Sequence, residues 1–165
     1  VDVDRTEHYG LTGGNFVTPR FRLGILAYVT DVTFTGESRL GRAFDDAVDL
    51  EFDVTGRYYL TKPNTFMGAY ATAGLGTGTL FWDYAQPIPV VKDGQATTVS
   101  DDHLNHFDMF LGIGTSILQT RHLHVGGNMV GGVRFYGWHT VNGFKNTELP
   151  TTGFGRMQME LEYRR

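Results

Sequence analysis

AVDLEFDVTGRYYL, residues 47–60, reads as two sequences interleaved. Val48, Leu50, Phe52, Val54, Tyr58 and Leu60 hold one parity, and Asp49, Glu51, Asp53, Thr55, Arg57 and Tyr59 hold the other. Side chains of a β-strand point alternately to opposite faces, so the stretch makes a strand with one greasy and one ionic face. The alternation leaves open which face is inside. A soluble sheet buries the apolar face, whereas a membrane barrel turns it outward and encloses the charges.

The same period recurs on both sides. Around residues 20–34, Phe21, Leu23, Ile25, Ala27 and Val29 alternate with a set that includes Arg20, Arg22, Gly24 and Tyr28. Over 66–82, Met67, Ala69, Ala71, Ala73 and Leu75 oppose Gly68, Tyr70, Thr72, Gly74 and Gly76. Segments 106–118 and 122–139 set Phe107, Met109, Leu111, Ile113 and Leu123, Val125, Met129, Val133 against His106, Asp108 and His122, His124, Asn128, Arg134. The closing GRMQMELEYRR, residues 155–165, sets Met157, Met159 and Leu161 against Arg156, Gln158, Glu160 and Glu162. Helical spacing is absent over any useful length, and the internal glycines oppose helix. The chain is all-β, and the order of segments predicts an antiparallel up-and-down barrel.

The connections alternate in length. Residues 61–65, TKPNT, and 119–121, QTR, are tight turns, while 35–46, 83–105 and 140–153 are long and polar. Asp93-Gly94 predicts a small hairpin inside the second long connection. Six segments are clear. Eight strands are expected at this length, with the remainder drawn from residues 1–19, where Thr12-Gly13-Gly14-Asn15 reads as a turn, or from the hairpin near 93. The alternative is that part of the barrel lies outside this chain. The 165 residues form one domain, with 1–19 either an N-terminal extension or a weak first strand.

Composition narrows the function classes. A net charge of -4 gives no electrostatic case for nucleic acid. With no cysteine there are neither disulfides nor thiolate metal sites. No apolar run approaches the ~18 residues of a transmembrane helix. The first residue is Val1, which reads as a processed or trimmed chain.

Three features favour the apolar face as a lipid face. The segments exceed the roughly 9–11 residues that a tilted strand needs to cross hydrocarbon. The polar faces mix glycines with charges of both signs: Arg20, Arg22, Arg57, Arg134 and Arg156 against Asp49, Glu51, Asp53, Asp108, Glu160 and Glu162. A narrow interior has to fit large side chains beside small ones and pair its charges. Aromatics gather near segment ends, at Tyr58, Phe66, Phe81, Trp82, Phe107, Phe135, Trp138 and Tyr163, as interfacial girdles do.

On these patterns, seen in GAYATAGLGTG, HFDMFLGIGTS and VGGVRFYGW, the chain resembles the small outer-membrane β-barrels of Gram-negative envelopes over about residues 20–165. The resemblance implies a bacterial outer-membrane location, contact with membrane lipids and lipopolysaccharide, and assembly by a machinery that favours a last strand ending in an aromatic residue. Tyr163 fits that position, although Arg164 and Arg165 follow it.

Several constellations bear on chemistry. His122 and His124 share a face, and Asp101-Asp102-His103 with His106 forms a second loop candidate, but neither supplies a complete metal ligand set. No cofactor is expected. Trp138-His139-Thr140-Val141-Asn142 is similar to the His-any-Ser-Asn motif of the lipid A deacylase barrels, with Glu148 as a candidate orienting acid. Valine stands where that chemistry needs a hydroxyl nucleophile, so we expect no catalytic residues. A small-solute channel is the other alternative, opposed by the arginine–carboxylate pairs that would plug it. Ala69, Ala71, Ala73, Gly127 and Gly131 make the apolar face unusually small in two segments, which suits close approach by another envelope protein. The expected role is therefore structural or adhesive, through loops or as a subunit of an envelope complex.

Overall fold

The computed structural model describes residues 2–35, 44–61, 68–92, 94–120, 123–137, 139–141, 144–146 and 151–163. Among them there is no helix. The strands are β1 (Asp2–Thr18), β2 (Phe21–Thr35), β3 (Phe44–Tyr59), β4 (Gly68–Lys92), β5 (Gln95–Gln119), β6 (Leu123–Tyr136), β7 (His139–Val141), β8 (Phe144–Asn146) and β9 (Thr152–Tyr163). Seven form one antiparallel up-and-down sheet in the order β1-β2-β3-β4-β5-β6-β9. Among the described residues the two short strands, β7 and β8, pair only with each other, in the connection before β9.

Within residues 1–19 the alternative of a first strand is the one found, and the turn read at Thr12-Gly13-Gly14-Asn15 needs correcting. Residues 2–18 form a full strand, and Thr12 and Asn15 pair with Leu26 and Leu23 in the middle of the β1–β2 ladder. The Gly13-Gly14 pair is no reversal. A Cβ on Gly14 would lie 2.4 Å from the Leu23 carbonyl oxygen, so glycine stands there for close approach of two backbones. The chain reverses instead at Pro19-Arg20, where the Thr18 hydroxyl accepts a 3.0 Å bond from the Phe21 amide. Proline sets its own φ and the threonine side chain replaces a backbone acceptor.

Residues 83–105 hold the expected hairpin around Gly94, but it is a continuous extension of two strands and not a small hairpin within a loop. They extend the two longest strands, 25 residues each, out to a two-residue turn between Lys92 and Gln95. Gly94 has φ 78°, the left-handed conformation that glycine adopts without steric cost in such turns. Beyond Tyr84, the last position paired to β3, this hairpin continues for eight residues to Lys92, roughly 25 Å at strand rise. With no third strand beside it among the described residues, its outer edges tolerate Pro87 and Pro89, which lack the amide a ladder needs. Both faces there meet water, which explains why apolar alternation fades.

The sheet curls strongly with its ionic face inward. Arg57 of β3 bonds Glu160 of β9, and Arg134 of β6 reaches Asp49 and Glu51 of β3, so strands far apart in the sheet face one another across an interior. Burial follows parity. Along 47–59 the odd-numbered Ala47, Asp49, Glu51, Asp53, Thr55, Arg57 and Tyr59 are buried, while Val48, Leu50, Phe52, Val54 and Tyr58 are exposed. Buried polar and charged side chains outnumber buried hydrophobic ones among the described residues. The enclosed face is therefore not an apolar core.

The glycines on the ionic face are there for packing. A Cβ on Gly74 would meet the Phe110 ring at 2.2 Å, on Gly76 the Asp53 carboxylate at 1.9 Å, and on Gly114 the Tyr70 ring at 2.2 Å. On the outer face Gly131, Gly153 and Gly155 would meet nothing closer than 3.8 Å. Large side chains on the enclosed face lie over glycines of that face, so the narrow space inside the curl is filled.

Candidate functional site: the charged interior

Two ionic clusters lie at different heights. The one nearer the long connections is built from Asp49, Glu51 and Asp53 of β3, His106 and Asp108 of β5, Arg134 of β6 and Arg156 of β9. Period-two spacing places the three β3 carboxylates in one column, and curl brings the basic side chains across to them. Arg134 donates from Nη1 to Asp49 Oδ2 at 2.7 Å, from Nη2 to Glu51 Oε2 at 2.8 Å and to Asp108 Oδ2 at 2.7 Å, and from Nε to Asp108 Oδ1 at 2.9 Å. Arg156 donates to Glu51 Oε1 at 2.9 Å and lies 3.5 Å from Asp53 Oδ2. The Tyr28 hydroxyl donates to Asp53 Oδ2 at 3.3 Å.

His106 uses both ring nitrogens, Nε2 at 2.8 Å from Asp49 Oδ1 and Nδ1 at 3.2 Å from Asp108 Oδ1. Only an imidazolium donates at both positions. Below this cluster the Arg156 guanidinium lies over the rings of Tyr28 and Phe154, each at 4.8 Å, and of Phe110 at 5.3 Å. Those faces are the negative side of the aromatic quadrupole and hold the cation from three directions.

The second cluster lies toward the tight-turn end. Arg57 makes a two-pronged pair with Glu160 at 2.6 and 2.5 Å, both side chains buried. Asn128 Nδ2 donates to Glu160 Oε1 at 2.7 Å, and the Arg57 guanidinium lies 5.2 Å from the Tyr70 ring centre. Parallel N–H···O bonds and the Asn128 amide give both Glu160 oxygens donors, while Arg57 Nε is buried without a hydrogen-bond partner. Ser116 and His124 share a 2.9 Å bond at the same end.

Of the arginines and carboxylates read from the sequence, Arg57, Arg134, Arg156, Asp49, Glu51, Asp53, Asp108 and Glu160 occupy these clusters, and Arg22 is buried on the same face. Arg20 is a correction. It falls in the exposed β1–β2 turn, because the strand starts one residue later. The Glu162 side chain lies outside the described residues. His106, Asn128, Tyr28 and Tyr70 were missed as network members, although each has the interior parity of its strand. Trp82, read as interfacial, shares the face of buried Ala47 and packs edge-on against Tyr84 at 6.4 Å.

The metal candidates of the sequence do not assemble. Asp101 and His103 are exposed on one face of β5, whereas Asp102 and His106 belong to the other. His122 lies outside the described residues. Folding instead brings ligand atoms of Asp49, Glu51 and His106 within 4.8 Å of one another. Their oxygens already accept from Arg134 and their imidazole nitrogens already face carboxylates, so a metal would have to displace a guanidinium. The arrangement suits ion pairing. In the deacylase-like stretch, His139–Val141 forms β7, while Trp138, Asn142 and Glu148 lie outside the described residues.

The small outward residues come partly together. Ala73 pairs with Leu111, which pairs with Gly131, and these line one apolar trough of about 640 Å³ with Gly56, Leu75 and Met109. Ala69 and Gly127 lie two outward rows away, both paired to Thr115, with Ala71 in the row between, where it pairs with Ile113. Gly56 was not singled out in the sequence because it interrupts an otherwise bulky column.

No protein-family model, no curated protein and no solved structure matches this chain.

Proposed function

We propose that this protein is an integral outer-membrane β-barrel, eight-stranded when complete, whose ion-paired interior blocks passage. Its role is structural or adhesive, as a binding platform or as a subunit of an envelope complex. The observation that supports this reading is the inversion of burial: charges inside, and Leu23, Ile25, Leu50, Val54, Leu111 and Ile113 exposed outside. Exposed apolar area on this scale is costly in water and favourable in hydrocarbon.

The height agrees. Outward Tyr58 near one end and Val48, paired with outward Phe81, near the other are ten residues apart along β3. At about 3.4 Å rise and ~45° tilt this spans roughly 24 Å, the apolar height of an outer-membrane barrel. The long β4–β5 hairpin then projects past the Phe81 end, on the side of the long connections. A rigid wall carrying a projecting hairpin is a natural contact surface.

Reconstitution tests the membrane reading. The refolded chain should float with lipid vesicles and stay with them through a carbonate wash; recovery as a soluble monomer would refute it. In planar bilayers it should give no steady current, because the Arg134 and Arg57 clusters fill the interior; a stable open conductance would favour a small-solute channel. For the subunit role, replacing Ala73 or Gly131 by leucine fills the trough and should release a bound envelope protein while leaving the barrel folded. Retention of the partner by both variants would remove the trough as a contact site.

A further inference from the structure

The outer face carries another groove, of about 730 Å³, that crosses from β1 to β5. Its lining includes outward Ala27 and Val29 of β2 and Leu50 and Phe52 of β3, and it ends at Thr79 of β4 and Asn105 of β5. Ala27 interrupts the larger Leu23, Ile25 and Val29 on the outward face of its strand, which gives the groove its depth. The Thr79 hydroxyl donates to Asn105 Oδ1 at 2.7 Å, and the Asn105 Nδ2 donors meet no acceptor among the described residues. A primary amide left with free donors against hydrocarbon is costly, so this end of the groove calls for an acceptor.

The tilt of the wall orients the groove. Arg134 shares a ladder row with Asp108, Gly76 and Asp53, yet it bonds Asp49, four residues nearer the long connections on β3. Glu160 repeats the pattern: its row leads to Gly68, four residues nearer the tight turns than Thr72, the partner of Arg57. Rows therefore climb toward the long connections from β3 to β9, and the same tilt carries β1 to β5. The Asn105 end is the upper end. Ala27 lies two strand steps and one outward row below Thr79, roughly 12 Å nearer the bilayer middle at ~45° tilt. Above Asn105, on the same face of β5, stand His103, stacked on Phe81 at 6.0 Å, and then Asp101, paired directly with outward Asp83. Like charges directly opposite one another repel, so this pair favours a cation beside it.

We propose that this groove is a binding site for one zwitterionic glycerophospholipid with a primary ammonium, seated by an acyl chain. The proposal rests on the membrane reading above. From the bilayer middle outward, the residues meet such a lipid in order. The chain lies against Ala27, Leu50 and Phe52, and its ester carbonyl accepts from Asn105 Nδ2. A phosphate oxygen accepts from the exposed His103 ring, and the ammonium donates to Asp101 and Asp83. Asn105 and Asp101 are four residues apart, roughly 10 Å of height at the same tilt, within reach of a glycerophosphate carrying a two-carbon amine. An apolar groove with a few placed polar groups at one end fixes both the depth and the direction of its ligand. An anionic headgroup without an ammonium would meet Asp83 and Asp101 as like charges.

The chain refolded in detergent is offered phosphatidylethanolamine and phosphatidylglycerol in equal amounts, and retained lipid is read by native mass spectrometry. Wild type should keep one phosphatidylethanolamine, preferred about tenfold over phosphatidylglycerol. Ala27→Phe, which fills the groove, and Asn105→Leu, which removes the donors, should each cut retention about tenfold. Ile113→Phe, outward on β5 but away from the groove, should change nothing. The double variant Asp83→Asn, Asp101→Asn should keep the lipid and lose the headgroup preference. Equal retention by wild type, Ala27→Phe and Asn105→Leu would overturn the proposal by reducing it to unspecific lipid adhesion. Retention of phosphatidylglycerol at least as strong as that of phosphatidylethanolamine would overturn it on charge, as would a folded wild type that keeps neither lipid. The wild-type competition decides by itself should a variant not fold. All these readouts are made in detergent, so failure to float with vesicles counts against the membrane reading, whereas flotation without lipid preference counts against this site alone.

Discussion

Replacing Arg134 by methionine should destabilise the protein by about 3–5 kcal/mol, read from urea unfolding in detergent micelles. The guanidinium is the shared partner of Asp49, Glu51 and Asp108, with four donor contacts of 2.7–3.1 Å to Asp49 and Asp108 and one of 2.8 Å to Glu51. Its side chain is 17% exposed, so water replaces it poorly. Methionine preserves most of the stem's volume but leaves three buried carboxylates with only His106 and Arg156 beside them. Lysine restores the charge without the fork and should recover a minor part of the loss. A cost below about 1 kcal/mol would mean the cluster is hydrated and worth no more than a surface pair.

Gly114→Val should cost about 3 kcal/mol while Gly131→Val stays within about 0.5 kcal/mol of wild type. Both glycines are strand-internal, on β5 and β6, and both exchanges raise β-propensity. Only the surroundings differ. At Gly114 a Cβ would lie 2.2 Å from the Tyr70 ring, itself 1% exposed, 5.4 Å from the Tyr59 ring and under the Arg57 guanidinium. The ring cannot bend away, so the Arg57 cluster shifts with it. At Gly131 the nearest atom is the Phe154 carbonyl oxygen at 3.8 Å, and the new side chain points outward. Equal costs at the two sites would contradict the assignment of the ionic face to the interior.

These two effects also measure how much could be read from residue types. Arg134 and Asp108 are paired across β5–β6, and both stand on the polar parity of their segments, so their meeting was legible. Arg134 reaching Asp49 and Glu51 was not, because 83 residues or more separate them and only curl brings them together. Arg20 shows the cost of a boundary error: one residue beyond the strand end, a group passes from the interior to an exposed turn. His106 shows a different limit. Its neighbours Asp101, Asp102 and His103 suggested a loop, whereas the ladder of β4 and β5 continues through them.

In the six clear segments alternation alone settled the strand and the membership of each face, because the strand period is two and a one-residue error would exchange every side chain. The glycines Gly74, Gly76 and Gly114 on the ionic face hinted at a crowded interior, since an exposed surface has no need of them. Only the tertiary structure placed that face inside. A two-sided pattern is unchanged when inside and outside are swapped, and the direction of curl follows from contacts between strands distant in sequence, such as Arg57 with Glu160. The pairing of residues 2–18 as a full first strand was likewise a tertiary result, since glycines at a close approach and glycines at a reversal look alike in sequence. With that strand in place the main sheet has seven strands among the described residues, and β1 and β9 at its edges run in the same direction.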